Sequence, residues 1–127
     1  AGAQALEKQA AVALLAALRE ADGSPATLDE IFSSCKIEPS LGRRAMASLE
    51  KAGEAVRITK ELAFSTEALS QFEQAVRTRL ADGASASAAE LRDAMGTTRK
   101  YAIPLLEYFD DKGITRRSGD ERVLTGR

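Results

Sequence analysis

The residues best suited to chemistry stand together at Thr97-Thr98-Arg99-Lys100-Tyr101. Two hydroxyls, two cations and an aromatic ring precede an apolar stripe of helical spacing, Ala102, Leu105, Leu106 and Phe109. The group therefore falls at a helix start. Free N–H groups and the positive end of the helix dipole favour a phosphate there. Arginine can grip a phosphate or a base edge with two parallel hydrogen bonds. A tyrosine ring can stack on an unpaired base. Cations at a helix start oppose the dipole and cost a few tenths of a kcal/mol unless an outside anion offsets them. The plain alternative is a solvated helix end.

A second cationic group follows. Lys112, Arg116, Arg117, Arg122 and Arg127 against Asp120 and Glu121 leave residues 112–127 at +3. Side chains alternate along a strand, so Arg116 and Arg117 should lie on opposite faces. Charges guarding a hairpin edge against aggregation are the competing explanation. Arg43 and Arg44 occupy the corresponding place in the first half, without an adjacent aromatic, and read as a solvated helix start. Pro104 should loosen the first turn of its helix and splay Arg99 to Tyr101 outward.

Composition removes other chemistries. The 127 residues include no histidine and one cysteine, Cys35. A Ser-His-Asp or Cys-His arrangement is impossible, as is a zinc site of the usual Cys/His kind. No intrachain disulfide can form, which suits a reducing compartment. No G-x-x-x-x-G-K-[ST] phosphate loop and no paired catalytic carboxylates are present. The net charge of -1 argues against a chain that coats nucleic acid indiscriminately. No apolar run spans a membrane. The start, Ala1-Gly2-Ala3-Gln4, has neither an initiator Met nor a basic signal region, so a piece of a longer protein is expected.

The elements that must carry these residues read as a repeat. A helix is predicted from Ala5 to Ala21, with Leu6, Ala10, Ala13, Leu14, Ala17 and Leu18 on its apolar side. Asp22-Gly23 ends it. Thr27 and Glu30 form a capping box for a short helix with Leu28, Ile31, Phe32 and Cys35 inward. Ser40 is expected to cap a third helix that buries Leu41, Ala45 and Leu49 and stops at Gly53. Strands follow at 55–58 and 62–65. The order then recurs. Thr66 should cap a helix over 67–81 with Leu69, Phe72, Val76 and Leu80 inward, ended by Asp82-Gly83. Ser87 and Glu90 form a second capping box, for a helix burying Leu91, Ala94 and Met95. The helix after Thr98 stops at Gly113, and strands are predicted at 114–117 and 122–125. Corresponding positions lie 59 to 60 apart: Asp22/Asp82, Thr27/Ser87, Glu30/Glu90, Gly53/Gly113. Three helices and a hairpin in about 60 residues suggest a winged helix. The expected fold is mainly α with small β-hairpins: two tandem winged helices, 1–65 and 66–127, each with a two-stranded wing.

The stretch Thr98-Arg99-Lys100-Tyr101-Ala102-Ile103-Pro104-Leu105-Leu106-Glu107-Tyr108-Phe109-Asp110 is distinctive. With Gly113-Ile114-Thr115-Arg116-Arg117-Ser118-Gly119-Asp120 and Arg122-Val123-Leu124, it resembles the C-terminal end of the SelB family, the bacterial selenocysteine-specific translation elongation factors. The match covers about residues 96–124; the first 95 agree in architecture only. The resemblance implies a spacer or orienting module followed by a module that binds the mRNA hairpin (SECIS element) beside a UGA codon. It implies Thr98, Arg99, Lys100 and Tyr101 on the recognition helix and Arg116, Arg117 and Arg122 on the wing side as RNA-binding residues. Thr98 stands where serine is expected and keeps the hydroxyl. The resemblance also implies ribosome and selenocysteinyl-tRNA as partners of the full-length protein, GTP only for an upstream part absent here, and a cytoplasmic location. No cofactor, metal, membrane or enzymatic activity is expected of this segment. No spare dimerisation helix is evident, so a monomer is expected. The rival readings are a winged-helix DNA-binding transcription regulator and a protein-interaction scaffold.

Overall fold

Alanine and leucine dominate the first twenty residues, and both favour helix. In the computed structural model, which describes residues 2–126, they form α1 (Gly2–Ala21). Ala10, Leu14, Leu15 and Leu18 make its buried stripe. Leu6, expected on that stripe, is exposed. α2 (Leu28–Ser34) starts with the capping box in full: the Thr27 hydroxyl accepts the Glu30 N–H, and the Glu30 carboxylate accepts the Thr27 N–H. α3 (Pro39–Lys51) packs across α1. Its cap is Glu38 rather than Ser40. The Glu38 carboxylate accepts the Leu41 N–H at 3.1 Å, and the Ser40 hydroxyl donates to that carboxylate at 2.7 Å. Pro39 at the first helical position moves the start two residues earlier, since its ring is already set to the helical angle. β1 (Ala55–Thr59) and β2 (Leu62–Ser65) close an antiparallel wing with a bulge between Arg57 and Thr59. Cys35 is half-buried at the margin of the core, which centres on Leu14, Leu18, Leu28, Phe32 and Met46.

The second half begins with α4 (Thr66–Arg79). Its cap is Ser65, whose hydroxyl accepts the Ala68 N–H. Thr66, expected in that role, instead donates its hydroxyl to the Gly53 carbonyl at 2.7 Å. A 3₁₀ turn (Ala81–Gly83) leads to β3 (Ala86–Ser87), then α5 (Ala88–Met95) with its Ser87/Glu90 capping box. α5 buries Leu91 and Met95, while Ala94 is exposed. α6 (Arg99–Asp111) precedes β4 (Thr115–Ser118) and β5 (Glu121–Leu124). This wing has three strands in the order β3-β5-β4, one more than the predicted hairpin.

The chain divides into two compact units, Ala1–Leu69 and Ser70–Arg127. The division falls inside α4, whose first turn is tied to the first unit. The Thr66 N–H donates to the Glu54 carbonyl, and Glu67 pairs with Arg19 at 3.3 Å. Each unit is a winged helix: three helices and a small antiparallel sheet.

Backbone geometry repeats more strictly than sequence. Asp22 and Asp82 adopt left-handed φ of 54° and 61°, Lys36 and Gly96 of 57° and 67°, and Gly53 and Gly113 of 75° each. Gly53 and Gly113 need that conformation to turn helix into strand, and glycine adopts it without strain. The carbonyl so presented receives a threonine hydroxyl in both units, Thr66 onto Gly53 and Thr125 onto Gly113.

One ionic cluster anchors the first unit. The Arg43 guanidinium reaches Glu61 at 2.7 Å and Asp29 at 3.0 Å and lies over the Phe32 ring at 5.7 Å. Arg43 is thus held within the unit, not left in solvent as its sequence context suggested. The Arg43 side chain, aided by the Asp29 backbone N–H, holds the Glu61 carboxyl below its ordinary value of 4.5. The Glu38 carboxyl is lowered by the Ser40 hydroxyl and the Leu41 N–H. Groups lowered on folding stabilise above their unfolded value, and that contribution is lost as pH falls through the folded one. Thermal melts should therefore drop on acidification below about pH 4.5. Glu61→Gln should melt lower at neutral pH and lose less on acidification. Parallel pH profiles for the two proteins would refute the assignment.

Candidate nucleic-acid interface

The turn from α5 into α6 sets up the site. Gly96 takes the left-handed conformation, and its N–H donates to the Asp93 carbonyl at 3.0 Å. The Thr97 N–H then donates to the Arg92 carbonyl at 3.2 Å. Thr98 follows in extended conformation as the cap of α6. Its carbonyl accepts the Tyr101 and Ala102 N–H groups, but its hydroxyl makes no cap bond. Arg99 and Lys100 are exposed, and no acidic residue occupies the first turn.

The other capped helices differ. Glu30 closes the start of α2, Glu38 that of α3 and Glu90 that of α5. Each of those N-termini holds its own carboxylate. The α6 start has an idle hydroxyl and two cations instead, so no carboxylate of its own first turn fills its positive pole. The matching helix of the first unit, α3, is self-filled, and its Arg44 lies 3.6 Å from Glu7.

Two expectations need correction. Pro104 does not loosen α6, which runs unbroken from Arg99 to Asp111. Ala102, Leu105, Leu106 and Phe109 clamp the helix to the core on both sides of the proline. Tyr101 is consequently not splayed outward. It is 8% exposed, with Lys100 Nζ 5.4 Å from its ring centroid. A ring so buried cannot offer its face to a base without leaving the core.

Arg122 is the second correction. It too is 8% exposed. Its Nε donates to both oxygens of Asp110 at 3.1 Å, and Nη2 donates to Oδ2 at 2.9 Å. The Thr115 hydroxyl donates to Asp110 Oδ1 at 2.6 Å. This triad binds the wing to α6, and the Arg122 guanidinium is committed to it. Arg116 and Arg117 remain exposed on β4. Arg127 lies outside the described residues.

A cavity of about 40 Å³ opens beside the α6 start, lined by Ala88, Ala89, Arg92, Arg99, Ala102 and Ile103. That volume holds a water or two and not a nucleobase. Among the described residues no cluster of His, Cys, Asp or Glu could hold a metal ion. No helix there is long and apolar enough to cross a membrane.

Comparison with known proteins agrees with this architecture. Residues 78–124 match the family model for the winged helix of elongation factor SelB. A selenocysteine-specific elongation factor of Haemophilus influenzae is 28% identical over 118 residues, 93% of this chain and 19% of that protein. Its Escherichia coli counterpart is 37% identical over 67 residues, 53% of this chain and 11% of that protein. The chain thus spans about a fifth or less of the length of these relatives. Among solved structures, the mRNA-binding domain of E. coli SelB in complex with SECIS RNA superposes with a TM-score of 0.76. The match is 26% identical and covers 96% of this chain and 95% of that one. A bacterial selenocysteine-specific elongation factor, EF-Sec, matches with a TM-score of 0.73 at 29% identity, covering 95% of this chain and 19% of that one. The chain is thus a tandem winged helix similar in sequence and fold to the winged-helix portion of the selenocysteine-specific elongation factors.

Proposed function

We propose that the second unit binds an mRNA hairpin of the SECIS class beside a UGA codon, and so tethers a selenocysteine-specific elongation factor to its message. The observation that carries this reading is the start of α6. It is the helix start whose cap hydroxyl is idle and whose first turn bears two exposed cations and no carboxylate. Thr98, Arg99 and Lys100 would hold backbone phosphates, with the exposed cationic side of β4 as a second contact. Tyr101 and Arg122 support that surface from inside the fold. A-form RNA has a deep, narrow major groove, so α6 would meet loop and backbone and not enter the groove as in DNA readers. The first unit, whose recognition-helix arginines already face carboxylates, serves as spacer and orienting module. The segment is a binding module and not an enzyme. Ribosome and selenocysteinyl-tRNA contacts, and GTP, belong to the rest of a full-length cytoplasmic factor.

Arg99→Ala should weaken SECIS RNA binding by about 1–3 kcal/mol, the worth of one good charge-assisted contact. A gel-shift titration against the parent chain at fixed salt measures it, with duplex DNA as competitor. Equal affinities, or efficient competition by duplex DNA, would overturn the proposal.

A further inference from the structure

The register of the wing divides its two exposed arginines. β4 pairs with β5 so that Arg117 stands opposite Arg122, Arg116 opposite Val123 and Thr115 opposite Leu124. Directly opposed residues of an antiparallel pair share a face, and residues two apart share it too. Thr115, Arg117 and Arg122 therefore lie on one face. That face is turned to α6, because Thr115 and Arg122 both bond Asp110. Arg116 lies on the other, together with Ser118, Val123 and Glu121.

The charges on the two faces differ. On the α6 side, Arg117 directly opposes a second guanidinium, an arrangement that is unfavourable unless an anion intervenes. Asp110 neutralises Arg122 through three short contacts and holds the Thr115 hydroxyl as well. Its carboxylate is thereby taken up, and Arg117 makes no ion pair among the described residues. On the outer side, Arg116 shares its face with the carboxylate of Glu121, which accepts the Ser85 hydroxyl at 2.6 Å.

We infer that the wing contacts its ligand through one face only: Arg117 is the phosphate-binding residue of the wing, and Arg116 is not. The Asp110–Arg122 pair acts as the positioning device, holding the Arg117 face against the helix that carries Arg99 and Lys100. The inference rests on the RNA-binding reading above and narrows it to one of two adjacent arginines.

The test compares Arg117→Ala with Arg116→Ala in the full 127-residue chain, titrated with SECIS RNA over a series of salt concentrations. Both residues are exposed, so both variants should melt like the parent. Arg117→Ala should bind about tenfold more weakly, and its salt-dependence slope should fall by roughly one. Arg116→Ala should stay within about twofold of the parent, as expected of a screened surface charge. Arg117→Lys should keep the parent slope. Equal losses for the two alanine variants, or a greater loss for Arg116→Ala, would overturn the partition while leaving RNA binding intact. A parent chain that does not bind the RNA at all would sink both the partition and the reading beneath it.

Discussion

Replacing Asp110 by alanine should destabilise the second unit by about 3 kcal/mol, the scale seen when one partner of a buried ion pair is removed. The Arg122 side chain is 9% exposed and that of Asp110 21%, so the guanidinium is withdrawn from water and the carboxylate mostly so. Truncation would leave a guanidinium with no counter-charge. It would also take the acceptor from the Thr115 hydroxyl, on a residue 1% exposed. Urea denaturation measures the loss. The double variant Asp110→Leu with Arg122→Met should recover most of it, because well-packed apolar replacements of a buried pair are often neutral. A single variant as stable as the parent would show that the pair contributes nothing. Function separates two roles for Asp110. As mere surface charge near RNA, its neutralisation in Asp110→Asn should tighten binding, since a repulsion is removed. As the residue that seats the wing, the same change should weaken it. We expect weaker binding in a chain still folded at the temperature of the assay.

The outcome for Arg122 shows where sequence reading stops. Caps and periodicity are local signals, and they placed α2, α5 and α6 within a residue or two. Both capping boxes formed as their Thr/Ser-x-x-Glu spacing requires. The stripe Ala102, Leu105, Leu106, Phe109 is fully buried. Ladder register is not local. Arg122 looked like its neighbours Arg116 and Arg117 until pairing put it opposite Arg117 and against Asp110, twelve residues earlier. β3 is two residues long, too short for any alternation to reveal. Part of the repeat was equally hidden: the left-handed turn at Gly96 has Lys36 as its counterpart, a residue type that does not announce such a turn. At the recognition helix the residue types were legible and the exposure was not. Tyr101 falls one turn before Leu105, at a spacing that carries it inward with the core stripe. A signal for that was present in the spacing, and the proline three residues later obscured it.

Gly42→Ala should destabilise the first unit by about 3 kcal/mol, at the upper end of the cost of overpacking a filled core. The added methyl would meet Cδ1 and Cε1 of Phe32 at 2.6 Å and Cζ at 2.8 Å, distances that real Cβ contacts do not tolerate. The ring has little freedom to yield. Phe32 is 1% exposed, within the cluster formed by Leu14, Leu18, Leu28 and Met46, with the Arg43 guanidinium above it. Gly42 is itself buried as the fourth residue of α3, inside a helix where alanine would ordinarily be favoured over glycine by up to about 1 kcal/mol. A close approach of α3 to the Phe32 ring therefore outweighs helix propensity at this position. Phe32→Leu in the same chain should recover part of the loss, since a narrower side chain leaves room for the methyl. Thermal unfolding of the parent and these two variants checks the argument, and an alanine variant as stable as the parent would refute the clash. The same protein tests the division of labour. If the first unit only spaces and orients, Gly42→Ala should lower the first unit's melting temperature while SECIS RNA affinity, measured below that temperature, stays within about twofold of the parent. An affinity loss as large as that of Arg99→Ala would mean that the first unit takes part in binding the RNA.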